Sequence, residues 1–228
     1  MSTIPLMSDD DLARLYPPFG LLVTAGDISL RLFRDSDLPA YADLITSPLF
    51  QDENANFVFN WLSADPAVQL RQSQQFLWTA RAGIGPQAWK LTMGVFDAGR
   101  LIGSQDMSAH DFNTLRVVTS GSYLRLDAQG QGIGTLMRQL ALVLVFDHLG
   151  AVRAESSAII GNDRSLAVSR HCGYELDGTD VTLNGENRVE MQRVVVTPDT
   201  FIRPDVDVRV EALTPALLEQ LGAQPASQ

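Results

Sequence analysis

The chain has 228 residues, 45% hydrophobic and 19% charged, with a formal net charge of -10. At about 150 residues per domain this is one large domain or two small ones. The apolar fraction excludes disorder over most of the length, because too much apolar surface would be left in water. Mean hydropathy is +0.02 and the pI lies near 4.6. Such an acidic balance argues against a nucleic-acid surface, which needs clustered Lys and Arg to displace counterions. The longest apolar stretch, IGTLMRQLALVLVF, is interrupted by Arg138 and Gln139. It falls short of the ~20 apolar residues of a membrane span, so no membrane partner is expected. The N-terminal sequence carries Asp9, Asp10 and Asp11 in a row, with no basic start before an apolar run, so no secretory signal is expected. A single cysteine, Cys172, excludes an internal disulfide and a thiolate-rich zinc site and points to a reducing, cytoplasmic setting. His110, His148 and His171 lie far apart and form no ligand motif, so no metal is expected.

In chain order, residues 1–27 read as an N-terminal arm. Residues 28–34 (ISLRLFR) alternate as a strand, and Asp35 or Ser36 then caps a helix with Leu38, Tyr41, Leu44 and Ile45 on one face. Residues 46–64 mix aromatics with Asp, Glu and Asn and read as a long loop. Asp65-Pro66 opens a helix that runs to about Ala82, with proline at its first position. Two period-2 segments flank Asp97-Ala98-Gly99, a hairpin signal, and LRVVTSGSYLRL supplies a third strand. QGQGIG leads straight into a helix that is apolar almost all round and therefore buried, with Gly150 past its end. AVRAESSAI is a further core strand, and NDRSLAVSRHCG a short helix opened by Asn162 or Asp163 and closed by Gly173. NRVEMQRVVV is a late strand. VDVRVEA is another, and Thr214-Pro215 starts a last helix. An antiparallel meander followed by one strand–helix–strand crossover predicts an α+β fold with a mixed, mostly antiparallel sheet. We divide it into the arm, a main unit over 28–197 and a C-terminal extension over 198–228 packed on it.

The segment LRLDAQGQGIGTLM carries the chemistry. Gln129, Gly130, Gln131, Gly132, Ile133 and Gly134 stand between a strand and a helix. Glycines there let backbone N–H groups face a ligand, and the helix head adds positive dipole, which suits a pyrophosphate. A dinucleotide fingerprint would need its third glycine at Thr135, although Glu155 stands where the ribose-binding acid would. About 120 residues of other structure precede the motif and no second βαβ half follows, so a nucleotide-dependent oxidoreductase is the weaker reading. A phosphate loop of the G-K-[ST] kind is absent. The pattern [QR]-x-x-G-x-[GA] fits Gln129, Gly132 and Gly134 throughout.

On that loop the chain resembles the GNAT superfamily of acyl-CoA-dependent N-acyltransferases. A second match supports it: N-x-x-[AS]-(x)7-G-[FY] is met by Asn162, Ser165, Gly173 and Tyr174. The serine and the GSYL strand are similar to the RimJ/RimL-type branch and, within it, to a subgroup that includes a protein succinyltransferase. The resemblance implies the GNAT fold, with a V-shaped splay of two strands at the acyl-CoA site. It implies acetyl-CoA or another short acyl-CoA, succinyl-CoA included, as donor. The acceptor it implies is an amine of a protein N-terminus, a lysine or a small molecule, attacked directly in a ternary complex. It also implies a homodimer.

Carried over position by position, Tyr123, Leu124, Arg125 and Leu126 line the pantetheine arm. Gln129, Gly130, Gln131, Gly132, Ile133, Gly134 and Thr135 hold the pyrophosphate, and Asn162 contacts the CoA arm. Ser165 faces the sulfur as proton donor; as a helix first-turn serine it equally satisfies backbone groups. Ser169 stands where many relatives carry an acidic tyrosine, and Thr119 about where RimJ/RimL relatives carry a glutamate base. Candidate bases are therefore Asp106, His110, Asp111 and Glu155, with Glu155 preferred because it lies in a core strand; alternatively water carries the proton out. Phe57, Phe59 and Trp61 (with Phe50, Asp52 and Glu53), together with Asp106 and His110, are candidates for the acceptor pocket, although the aromatics also read as core. Cys172 reads as a small core residue. The absence of the usual acid and base leaves a second class open: a non-catalytic acyl-CoA sensor or partner protein on the same fold.

Overall fold

The structure is a computed structural model and describes residues 9–51 and 65–223. Nine strands form a single sheet in the order β7-β8-β6-β5-β4-β3-β2-β1-β9. In chain order they are β1 (Leu22–Ala25), β2 (Ile28–Leu32), β3 (Ala88–Asp97), β4 (Arg100–His110), β5 (Val117–Leu124), β6 (Arg153–Ile159), β7 (Glu175–Asn184), β8 (Asn187–Val196) and β9 (Arg209–Glu211). Every neighbouring pair is antiparallel except β5 and β6. The helices are α1 (Asp9–Leu15), α2 (Leu38–Thr46), α3 (Pro66–Ala82), α4 (Phe112–Leu115), α5 (Ile133–Val143), α6 (Asp163–His171) and α7 (Pro215–Gln220).

Local chemistry accounts for most boundaries. Asp65 caps α3, its carboxylate accepting from the amides of Ala67 and Val68 at 2.9 and 3.4 Å. Ala98 and Gly99, both left-handed at φ 46° and 84°, turn β3 into β4 in two residues. Thr214 caps α7, accepting from Leu217 N at 3.2 Å. Two strands differ from the sequence reading. Residues 22–25, assigned to the arm, pair with β2 and with the C-terminal β9, so both ends of the chain join one sheet. Residues 175–184, given no element, form β7, an edge strand exposed along most of its length. The buried helix also departs from a regular α-helix: Leu144–His148 continue α5 as one π-helical turn before Leu149.

Both faces of the sheet are covered. On one, α5 packs across β1, β2, β4 and β5 and buries Leu140, Ala141, Leu142, Leu144 and Val145 against Leu30, Leu91, Met93 and Met107. On the other, α2 and α3 bury Tyr41, Leu44, Ile45 and Leu77 against Phe33, Phe96 and Leu101. Each such fully buried aliphatic or aromatic side chain contributes roughly 1.5–3 kcal/mol. Two packed faces therefore hold β4 and β5 rigid between them, and the site is built on those strands.

Candidate active site

β5 and β6 are joined over only three residue pairs, Val117–Thr119 against Arg153–Glu155. Beyond them β5 continues to Leu124 and β6 to Ile159, so the two strands part in a V. At the branch point hydroxyls replace the backbone ladder: Ser156 Oγ donates to Ser120 O at 2.9 Å, and Ser120 Oγ to Glu155 O at 3.4 Å. The main chain of Ser120 thus faces β6. By strand alternation that of Ser122 and Leu124 faces the gap, while Gly121 O and Arg125 N are spent on the β4 side, at 3.2 Å from Gln105 Nε2 and 2.8 Å from Ile102 O.

The gap opens onto the Gln129–Gly134 loop. Gly130 and Gly132 take φ of 76° and 81°, and Gly132 occupies the cap position of α5. A Cβ at either would meet nothing within 4 Å, so open space rather than protein lies against them. Their demand for glycine comes from the left-handed backbone. Among the described residues, none of the amides from Gly130 to Gly134 donates to a backbone carbonyl, whereas Thr135 N and Leu136 N close the first turn on Gly132 O at 3.1 Å. A run of unspent amides at a helix head, lined by open space, fits a doubly charged phosphate group.

Gln129 holds this loop in place. Its Nε2 donates to Leu49 O at 2.8 Å and Leu124 O at 3.0 Å, while its Oε1 accepts from Arg164 at 3.2 Å. Arg164 also reaches Gln51 Oε1 at 2.8 Å, and Leu126 N donates to Pro48 O at 3.1 Å. Arg125 ties the same region to α2 through Asp43 at 2.7 Å and to Asp127 at 3.3 Å. The side chains of Gln129 and Arg125 and the amide of Leu126, taken from sequence as ligand-facing, are thus engaged within the protein and brace the loop. Gln131 Nε2 likewise folds back onto Asp127 O at 2.9 Å.

α6 closes the same side of the V. Asn162 caps it, its Oδ1 accepting from Ser165 N at 3.2 Å, so Ser165 stands in the first turn. Gly134 lies against this helix, where an added Cβ would stand 3.5 Å from Val168 Cγ2. Gly173 ends the turn after it at φ 88°, where a Cβ would fall 2.0 Å from Thr200 O, so only glycine fits. Cys172 is fully buried, its thiol 3.6 Å from Thr135 O, and burial pushes its pKa up to about 11. At neutral pH it is a thiol, not a nucleophile.

The opposite face presents side chains. Asp106 on β4 lies beside Ser104, whose hydroxyl stands 3.3 Å from Asp106 Oδ1. Burial pushes its carboxyl up to about 6, with Lys90, Ser104 and Thr92 opposing. The phenols of Tyr123 and Tyr41 are raised by burial as well, and both feel the charge of Asp106. The side chain of Tyr123 therefore belongs to this face, while its neighbour Leu124 turns to α5. Glu155 is on the same face at the foot of the V, but its carboxylate is ion-paired with Arg153 Nε at 2.6 Å, and Arg153 in turn with Asp177 at 2.8 Å. His110 is exposed at the far end of β4, beside Asp111. Asp52, Glu53, Phe57, Phe59 and Trp61 lie outside the described residues. Among the described residues no cluster of His, Cys, Asp and Glu is suited to a metal ion, and no helix is long and apolar enough to cross a membrane.

A model of the acetyltransferase (GNAT) domain matches residues 27–175. The chain belongs to the GNAT acetyltransferase family. Its activity class is acyl-CoA-dependent N-acyl transfer. Solved structures share the GNAT fold at low identity. A RimJ from Mycobacterium smegmatis in complex with CoA-disulfide has a TM-score of 0.59 and 21% identity over 79% of this chain and 87% of that one. A Salmonella typhimurium acetyl transferase that modifies the N-terminal serine of a 50S ribosomal subunit protein has a TM-score of 0.62 and 15% identity over 76% and 96%. A spermidine N-acetyltransferase chimera from Vibrio cholerae and hSSAT has a TM-score of 0.58 and 16% identity over 75% and 96%.

Two residues beside the V escaped the sequence reading. Ser122 lies in the recognised strand, but only the splay shows that its amide faces the gap. Arg138 entered the sequence argument only as an interruption of an apolar run. It is 4% exposed, and its guanidinium donates to Ser122 Oγ at 2.8 Å and Ser169 Oγ at 3.3 Å. The available signal was a lone cation on a helix apolar all round.

Proposed function

We propose that this protein is a RimJ/RimL-type N-acetyltransferase or short-chain N-acyltransferase whose acceptor is the primary amine of a protein N-terminus, a lysine or a small molecule. The observation that carries the proposal is the run of unspent amides from Gly130 to Gly134 at the head of α5, at the open end of the V. These amides hold the pyrophosphate of an acyl-CoA, and the amides of Ser122 and Leu124 face the thioester from the edge of β5. Acyl-CoA supplies the activated acyl group.

The residues divide the reaction between the two faces of the sheet. The amine approaches from the Asp106 face in its uncharged form and attacks the carbonyl carbon; a C–N bond forms and the C–S bond breaks. Asp106, with a carboxyl poised near pH 6, takes the proton that the nitrogen loses. Ser165, at the head of α6 on the opposite face, gives a proton to the departing sulfur and recovers one from solvent. Positioning both partners in one cleft supplies much of the acceleration. A non-nucleophilic Cys172 and the absence of another cysteine favour direct attack over a covalent acyl-enzyme. Asp106 is preferred over Glu155 because Arg153 already occupies the Glu155 carboxylate. A homodimer is proposed through the β7–β8 ribbon, where Leu176 and Leu183 are 69% and 70% exposed.

Thermal shift with CoA, acetyl-CoA, succinyl-CoA and NADH tests the assignment, since a ligand of the native state raises the melting temperature. Stabilisation by the CoA species, followed by acceptor-dependent thiol release, is the expected result. Stabilisation without any thiol release across an amine panel would favour the sensor reading. A response to NADH alone would contradict the site.

A further inference from the structure

The chain's single lysine, Lys90, stands on the Asp106 face of the sheet. Leu91 and Met93 turn to the core under α5, so Lys90 and Thr92 turn the other way, toward α3. The register pairs Thr92 with Asp106 and Lys90 with Ser108. Lys90 and Asp106 are therefore diagonal neighbours on one face, roughly 7–8 Å apart at the backbone. Lys90 is half-buried, and its Nζ lies over the ring of Phe76 on α3, 5.0 Å from the centroid. Among the described residues it forms no ion pair, although the chain carries 27 acidic residues against 17 basic ones. The arginines differ: Arg31, Arg81, Arg125, Arg153 and Arg203 each pair with an Asp or Glu at 2.5–2.8 Å.

A second observation lies beside it. Thr92 is 6% exposed, and its Oγ1 is buried with no hydrogen-bond partner. Lys90 and Thr92, with Arg81, Phe33 and Leu77, line a small cavity of about 10 Å³ under α3. That is room for roughly one oxygen-sized group. Asp35 already neutralises Arg81 at 2.6 Å, so the uncompensated charge at the cavity is that of Lys90. A buried hydroxyl left unpaired costs free energy, and one anionic oxygen satisfies both it and the ammonium. The apolar walls of Phe33 and Leu77 suit the methylenes of an organic acid better than a hydrated inorganic ion.

We infer that Lys90 and Thr92 form an anion subsite for the acceptor, so that the amine acylated here carries a carboxylate a few carbons from its nitrogen. This rests on the proposed reading of the Asp106 face as the acceptor side. The nitrogen sits at Asp106 and the carboxylate at Lys90, one of its oxygens accepting from Thr92 Oγ1. The diagonal spacing of the two residues sets the distance between the two ends of the acceptor. An acceptor with a second cation in place of the carboxylate is repelled by Lys90. A free amino acid and an acidic residue beside a peptide N-terminus offer the same chemistry.

Acceptor kinetics at saturating acetyl-CoA test it, with thiol release by the full chain as the readout. One series holds length constant and varies charge: γ-aminobutyrate, butylamine and diaminobutane. The other uses dipeptide amides with serine first and aspartate, asparagine or lysine second. The wild type is expected to favour the carboxylate member over the cationic one at least tenfold in kcat/KM, with the neutral member between. The series with the lower KM identifies the source of the carboxylate. Lys90→Gln is expected to bring that ratio to about one, chiefly by raising KM for the carboxylate acceptor, and Lys90→Arg to keep part of it. Thr92→Val keeps the shape without the hydroxyl and is expected to lower the ratio several-fold with no loss of melting temperature. Equal or reversed ranking by the wild type in both series, or a Lys90→Gln variant that keeps the ratio, overturns the inference while leaving acyl transfer standing. No thiol release with any of these amines, despite CoA binding, overturns the acceptor-side reading as well.

Discussion

The two faces of the V are built from different materials. The face proposed for the donor is main chain: unspent amides of a glycine loop and of one strand edge, braced from behind by Gln129, Arg125 and Arg164. The face proposed for the acceptor is side chain: Asp106, Tyr41 and Tyr123, their ionisations shifted by burial, with Ser104 beside Asp106. Main-chain recognition depends on backbone conformation, so on this face it is the left-handed Gly130 and Gly132 that resist substitution. Side-chain recognition can vary residue by residue on an unchanged fold.

The sharpest way to break the contrast is Gly132→Asp. It puts a β-carbon on a left-handed backbone and a carboxylate where the pyrophosphate is proposed to sit, and CoA affinity is expected to fall by a hundredfold or more in calorimetry, with the fold retained by circular dichroism. Unchanged affinity would move the donor site elsewhere. Asp106→Asn is the matching experiment on the other face. Loss of a general base costs roughly 10²–10⁴-fold in rate, so kcat is expected to drop by that range while CoA binding stays unchanged. In the parent, kcat/KM is expected to rise with pH through about 6 as Asp106 ionises.

Stability should move the opposite way. A carboxyl raised from 3.8 to about 6 binds its proton more tightly folded than unfolded. The fold therefore loses stability as pH climbs from about 4 to 6. Asp106→Asn removes that loss, so the variant is expected to melt above the parent at pH 7 but not at pH 4. Smaller effects are expected from the helix heads. Asn162→Ala removes the α6 cap and costs about 1 kcal/mol of stability, read by denaturant unfolding, with a modest loss of CoA affinity. Glu155→Gln is expected to change kcat by no more than a few-fold, because Arg153 already holds that carboxylate; a loss comparable to that of Asp106→Asn would return the base to Glu155.

How far the sequence speaks follows the same division. Asp65-Pro66, Ala98-Gly99, Asn162 and the two left-handed glycines of the loop are local rules, decided by caps, turns and φ, and they are legible without a fold. The same holds for the buried helix, although its closing π-helical turn left no local signature. β1 was too short to register. β7 was missed because it is exposed along most of its length and so lacks the alternation of a half-buried strand. On the acceptor face the legible part was smaller. Asp106, His110, Asp111 and Glu155 are equivalent as letters, and only tertiary burial and the Arg153 ion pair separate Asp106 from Glu155. Arg138 illustrates the same limit. In the sequence it marks where an apolar run stops being long enough for a membrane, and only packing reveals that its guanidinium lies buried without a counter-charge.

The central claim is that backbone amides at the head of α5 hold the acyl donor. The most direct measurement is an amide-resolved NMR titration of the labelled chain with CoA. The account predicts that the amide resonances of Gly130, Gln131, Gly132, Ile133 and Gly134 move first and furthest, with protection from solvent exchange on saturation. Binding that leaves those five amides in place while shifting a different set would contradict it.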